Sequence, residues 1–308
     1  MSTGGSKRAI IAALLANAGI ALAKFVGFLI TGSSSMLAEG VHSVADTSNQ
    51  GLLLLGQRQA GKQPDALHQF GYGRSRYFYA FVVALVLFSL GAAFALYEGY
   101  EKVVHPHELT SPYLAIAILV VAIGLEGFSF RTAMVESRPL KGPGSWWRFI
   151  RTSRNPELPV VLLEDTGALI GLVLALAGVG LTMATGNPIW DGVGTLCIGA
   201  LLAVIAVILM VEMHSALIGE GATPQEGQAI RQALERTAHI DRVIHLRTQY
   251  LSPDELLVGA KIALAPETDL ATVAATIDAA EVAIRAAVSA VTVIYLEPDL
   301  DRALTAGS

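Results

Sequence analysis

Apolar residues along this chain fall into long stretches separated by short polar breaks. Crossing the hydrocarbon core of a bilayer takes about 20 mostly apolar residues as a helix. Six stretches meet that length, at roughly 9–31, 34–57, 78–103, 112–135, 158–184 and 189–215. The first follows Lys7 and Arg8 and continues to Ile30 without a clear small-residue cleavage site. It reads as a retained helix rather than a signal peptide.

Past Gly219 the pattern changes to that of a soluble α+β domain. Thr223 with Glu226 three residues on forms a capping box leading into a helix over Ala229–Ala238. Alternation and β-branching predict strands at Arg242–Tyr250, Leu256–Leu264 and Val291–Leu296. Leu270 to Val288 carries Ala, Val and Ile at helical spacing, giving the order αββαβ. The expected architecture is an α-helical membrane protein with six transmembrane helices over residues 1–218, plus a small α+β cytoplasmic C-terminal domain over 219–308.

Composition agrees with a chain that sits mostly in lipid: 53% of its 308 residues are hydrophobic, 15% are charged, and mean hydropathy is +0.54. A net charge of -5 excludes general nucleic-acid binding, which needs a basic surface to displace counterions from phosphates. The single cysteine, Cys197, lies in an apolar run and offers neither a disulfide framework nor a thiolate cluster. Basic residues collect before span one, after span two (Arg58, Lys62, Arg74, Arg76) and after span four (Arg131, Arg138, Lys141, Arg148, Arg151, Arg154). The positive-inside rule then places both termini in the cytoplasm, with a bacterial cell inner membrane as the expected home.

Ionisable groups at bilayer depth cost several kcal/mol, so each is a functional candidate. In span two, SMLAEGVHSVADTSNQ, residues Glu39, His42, Asp46 and Asn49 recur every three or four positions and share one helical face. His42 and Asp46 at i, i+4 can reach one ion, and imidazole with carboxylate suits zinc and its first-row neighbours. Span five carries Glu164 and Asp165 side by side, and only one of two adjacent residues aims squarely at a shared ion. Glu164 shares its face with Gly167 and Gly171, a small-xxx-small pair suited to close helix contact. Asp165 is therefore expected to serve with span two, and Glu164 to be the proton-carrying neighbour. Lys24, Glu126, Asp191, Glu212 and His214 are less specific signals, and His105 and His107 in an outer loop are assigned no role.

Taken with HQFGYGRSRYFYAF, PIWDGVGTL, HLRTQYLSPDELLV and VIYLEP, these segments resemble the cation diffusion facilitator family over nearly the whole chain. VVLLEDTGALIG and SWWRFIRTSRNPE are similar to its mitochondrial-type zinc transporter branch. The resemblance implies a secondary transporter, not an enzyme. It further implies a homodimer with a metallochaperone-like (ferredoxin-like) tail, and proton-coupled alternating access, with no cofactor beyond the transported ion. It also implies a tetrahedral site with two ligands from span two and two from span five. Here one span-five position is Val161, which cannot coordinate. A weaker loop site maps onto Asp65, His68 and Tyr72, while the tail positions Ile244, Lys261 and Tyr295 imply that a metal-sensing site is missing. Two rival readings remain open: a transporter of the same fold for manganese, iron or cobalt, and a non-transporting scaffold or regulator that has lost a ligand.

Overall fold

The computed structural model describes residues 18–141 and 143–300, with the side chain of Asp46 among a few helical side chains outside that description. The chain divides into two compact units. One comprises the chain up to Arg58 together with Ser75–His214, the other Gln59–Arg74 together with everything from Ser215 onward.

The first unit is helical because its runs are long, apolar and closed by turn formers: Gly32 after span one and Gly186 after span five both take positive φ. Its elements are α1 (described over Ala18–Thr31), α2 (Ser34–Ala60), α3 (Ser75–Val82), a π-helical turn (Val83–Phe88), α4 (Ser89–Val104), α5 (Pro112–Lys141), α6 (Trp146–Thr152), α7 (Glu157–Thr185) and α8 (Ile189–Ile218). Four helical stretches among the described residues are long and apolar enough to cross a membrane: Ser75–Val104, Pro112–Val135, Glu157–Thr185 and Ile189–Ile218. The described part of α1 is shorter, and the start of the expected first span (9–17) lies outside the described residues. With 27 residues α2 is long enough, but His42, Thr47, Ser48, Asn49 and Gln50 dilute its apolar character. The short helix α6 carries no apolar period of its own; it is capped by Ser145, whose hydroxyl accepts from Arg148 N. Leu29, Leu90, Val121, Phe128, Val173 and Val207 point outward and are exposed, the face a helix shows to lipid tails. Small and aliphatic residues such as Ala84, Ala92, Ala175, Leu172 and Leu202 fill the interior.

The second unit contains α9 (Pro224–Glu235), β1 (Arg242–Ser252), β2 (Glu255–Ala263), α10 (Leu270–Ala287) and β3 (Val291–Asp299). The sheet order is β1-β2-β3, with β1 and β2 antiparallel and β2 and β3 parallel. A hairpin suffices for the first pair, whereas the parallel pair needs the crossover that α10 supplies. The capping box forms: Glu226 N donates to Thr223 Oγ1 (3.3 Å) and Thr223 N to Glu226 Oε2 (2.8 Å). It starts α9 at Pro224, one turn earlier than the apolar spacing indicated. Strand β3 runs past Leu296 through Pro298, which an edge strand tolerates because a missing N–H can face away from the ladder. Ile230, Leu234, Leu256, Val258, Ile262 and Ile284 form the core.

The observed division starts the second unit at Ser215 rather than 219 and adds the segment 59–74 to it. Gly73 is the point of closest approach: any Cβ there would collide with Ser252 and the Leu251 carbonyl.

Candidate metal centre

The start of α2 is fixed by a group from a distant helix. Asp191, in the first turn of α8 and fully buried, accepts from the hydroxyls of Ser33 (2.9 Å) and Ser35 (2.6 Å) at Oδ1. Its Oδ2 accepts from the backbone N (3.0 Å) and hydroxyl (3.1 Å) of Ser34. A carboxylate receiving the first amide of a helix satisfies an orphan donor and meets the positive end of the dipole. Thr195 closes the cluster with contacts of 3.3 Å to Ser34 and 3.0 Å to Ser35. Asp191 is thus a helix anchor, and two of the sequence segments that looked most distinctive, SSSMLAEG and PIWDGVGTL, meet in one structural knot.

Little more than one turn further along α2, Glu39 is ion-paired with Lys24 of α1 (3.1 Å), and Lys24 also donates to Ser43 (2.7 Å). Both charges are completely shielded. The other Glu39 oxygen, Oε1, has no hydrogen-bond partner among the described residues and rests against Gly171 of α7. A side chain at Gly171 would occupy the place of that carboxylate, so this glycine serves a charge as well as helix packing. Its companion Gly167 lies against Ile205 of α8 instead. His42 is buried one turn beyond Glu39. The Asp46 carboxylate lies outside the described residues.

On α7 the two acids part company. Asn49 of α2 donates to Glu164 Oε1 at 3.4 Å, whereas Asp165 Oδ2 accepts from Ser129 of α5 at 3.5 Å. In the structure Glu164 is thus bonded toward span two and Asp165 toward α5. α7 packs extensively on α5, and its small face makes close contact with two other helices, Gly171 with Glu39 of α2 and Gly167 with Ile205 of α8. Glu126 of α5 is also buried and lies within electrostatic reach of Lys24, Glu39 and Asp165. Ser129 carried no signal in the sequence, being one hydroxyl in an apolar run; Lys24 did, as a cation at bilayer depth, but its partner was not legible. Among the described residues no three of His, Cys, Asp and Glu gather closely enough to hold a metal ion.

The loop before α3 is a small closed structure of its own. Asp65 Oδ1 accepts from Leu67 N (2.9 Å) and His68 N (2.8 Å), an Asx-type turn, and Oδ2 accepts from the Tyr72 hydroxyl (2.5 Å). The His68 ring stacks beside Tyr72 at 4.3 Å, so Asp65, His68 and Tyr72 do come together. The Tyr72 hydroxyl, then the backbone amide of His68, holds the Asp65 carboxyl down at about 2, and the same bond pushes the Tyr72 phenol up. In the tail the Lys261 ammonium bridges Asp299 (2.8 Å) and Glu297 (3.0 Å), filling with a tethered cation a spot where two carboxylates converge. Those hydrogen bonds, Asp299 foremost, raise the Lys261 pKa.

Near the basic end of α2, Arg76 clamps Glu157 with two bonds of 2.7 Å each, and Gln57 adds a third contact at 3.4 Å. Together with the Tyr77 hydroxyl on the Arg154 carbonyl (3.1 Å), they fix where α7 begins.

Residues 10–218 match the model of the cation efflux transmembrane domain. The mitochondrial proton-coupled zinc antiporter SLC30A9 of Mus musculus is 34% identical over 244 residues, which is 78% of this chain and 43% of that protein. Metal tolerance protein C4 of Arabidopsis thaliana is 29% identical over 261 residues, 83% of this chain and 57% of that protein. This chain thus spans about half the length of the curated relatives it matches. A solved MamM C-terminal domain is 20% identical with a TM-score of 0.23, covering 24% of this chain and 94% of that one.

Proposed function

This chain belongs to the cation efflux family, a family of transporters rather than enzymes, and from that premise we propose that it exports a divalent metal ion, zinc foremost, in exchange for protons. The observation that carries the reading is the run of ligand-type groups buried where α2 meets α7, with His42, Asn49 and Glu164 enclosed by helices whose outer faces are apolar. His42 and Asp46 are the α2 ligands. Because Glu164 is turned toward α2, it takes precedence over Asp165 as the α7 ligand. Neutral imidazole with two carboxylates supplies two negative charges, which offset a divalent cation away from water. A proton arriving from the far side competes for the same lone pairs, so metal release and proton uptake share their ligands. Asp165, facing Ser129 and within reach of Glu126, is placed to relay that proton.

The tail is proposed to pair two copies into a homodimer. Both termini lie on the side that collects Lys and Arg. The SLC30A9 relatives are named as mitochondrial, which weighs against a bacterial inner membrane as the home; the basic loops speak to sidedness only. Loop residues Asp65 and His68 offer a weaker capture point, reached once a metal displaces the Tyr72 hydroxyl. The oxygen-rich surroundings contributed by Glu39, Glu126 and Asp165 support one second reading, manganese or iron(II) in place of zinc.

The test is flux in proteoliposomes carrying zinc, manganese, iron(II) or cobalt under an imposed proton gradient. Zinc should move fastest and stop when the gradient is collapsed with the metal gradient held constant. Movement of none of the four would overturn transport, and flux indifferent to the proton gradient would overturn exchange. Glu164→Gln should lose zinc binding by calorimetry, whereas Asp165→Asn should keep binding and shift the pH profile of transport; the opposite pattern returns the ligand role to Asp165.

A further inference from the structure

At the basic end of α5 lies a pocket of about 510 Å³, lined by Arg131, Arg138 and Lys141 together with Phe130, Met134 and Trp146. We propose that it binds the headgroup of an anionic phospholipid, one with two phosphate groups in preference to one. The α5 geometry supplies the first argument. Its apolar stretch ends at Val135, so Arg131 lies about one turn inside the hydrophobic zone and Arg138 and Lys141 just beyond it. Three cations on neighbouring turns thus straddle the level at which lipid phosphates sit, on the side the loop charges mark as positive.

The state of those cations supplies the second argument. Arg131 and Arg138 have no carboxylate partner among the described residues, in contrast to Arg76 and Arg151, which are paired with Glu157 and Glu212. Lys141 is turned into the pocket, where it donates to the Gly144 carbonyl and lies 5.2 Å from the centre of the Trp146 ring. An arginine with no carboxylate beside it among the described residues, next to a lysine braced on an aromatic ring, presents a fork for phosphate oxygens.

The floor and rim identify the ligand as amphiphilic. Phe130 and Met134 line the pocket beside the cations, and Val135 and Phe128 on the same helix are exposed. A free phosphate would satisfy the guanidinium groups and leave that apolar wall wet, whereas a phospholipid places its acyl chains along it. Arg131 and Arg138 lie two turns apart, a spacing that one phosphate cannot serve equally and two can. The site is independent of the metal centre, since it uses none of the buried carboxylates.

Thermal unfolding of the full chain in detergent tests it, with added cardiolipin, phosphatidylglycerol, phosphatidylcholine or inorganic phosphate, alongside native mass spectrometry of lipids retained through purification. Cardiolipin should raise the melting temperature by several degrees, phosphatidylglycerol by less, and phosphatidylcholine and inorganic phosphate by nothing measurable. Arg131→Gln with Arg138→Gln should weaken cardiolipin binding about fivefold for each cation removed. Arg58→Gln with Lys62→Gln, an equal charge loss on the same basic side, should leave binding unchanged. Two results would overturn the proposal: a shift reproduced by inorganic phosphate, or an equal loss of binding in both double variants. If the first double variant unfolds early, retained lipid per folded molecule in native spectra still separates the cases.

Discussion

Two polar clusters lie inside the same apolar bundle, and they are built to opposite standards. At the start of α2 every lone pair that Asp191 offers is used: four donors from Ser33, Ser34 and Ser35 reach its two oxygens at 2.6 to 3.1 Å. Around the middle of α2 Lys24 is held tightly by Ser43 and Glu39, but the contacts of the α7 acids are long, 3.4 Å from Asn49 to Glu164 and 3.5 Å from Ser129 to Asp165, and Glu39 Oε1 and Asn49 Oδ1 have no hydrogen-bond partner among the described residues. A fully satisfied buried network rigidifies; an under-satisfied one holds free energy that a ligand can release. On the proposed function, that difference is the one between an anchor and a site, although both read in the sequence as acids in lipid.

The sharpest way to break that distinction is at the anchor. Asp191→Ala leaves four donors without their acceptor, and at about 1 kcal/mol or more for each unsatisfied group the chain should lose several kcal/mol and fail to accumulate in membranes. Thermal unfolding in detergent measures it. A variant that folds normally but cannot transport would make Asp191 part of the site.

The ion pair between Lys24 and Glu39 comes next, since it belongs to neither extreme. Lys24→Met abandons a buried carboxylate and should cost about 3 kcal/mol, while Lys24→Met with Glu39→Gln removes both charges and should recover most of it. Equal destabilisation in the single and double variants would show that packing, not charge, ties α1 to α2.

The smallest effect is expected in water, at the loop cluster. Asp65 has a depressed pKa in the folded chain, so its contribution is present above the ordinary carboxylate range and is lost as pH falls from there toward about 2. Tyr72→Phe removes the largest cause of that depression. The Asp65 titration followed by carbon NMR should move back toward the ordinary value with little change in melting temperature, because the pair is solvated and screened. An Asp65 titration unchanged in Tyr72→Phe would mean the amides of Leu67 and His68 hold the carboxylate without help.

By itself the sequence determined the membrane class, the four long apolar helices, the αββαβ tail and the shared face of the polar residues on α2. These follow from quantities local to the chain: the run length needed to span lipid, the 3.6-residue repeat that stacks Glu39, His42, Asp46 and Asn49, and the capping box at Thr223. What only the tertiary structure decided was partnership. Lys24 and Glu39 are 15 positions apart, Asn49 and Glu164 are 115, and Ser34 and Asp191 are 157. Helical periodicity assigns each residue to a face of its own helix but says nothing of the neighbour that face will meet. So it puts Glu164 on the face of the glycines without naming Glu39 and Ile205 across from them, because the rotation of a helix in a bundle is set by packing against all its neighbours together. The same limit kept residues 59–74 with the membrane unit in the sequence, where contiguity is the only guide, while the fold gives them to the tail through the close approach at Gly73.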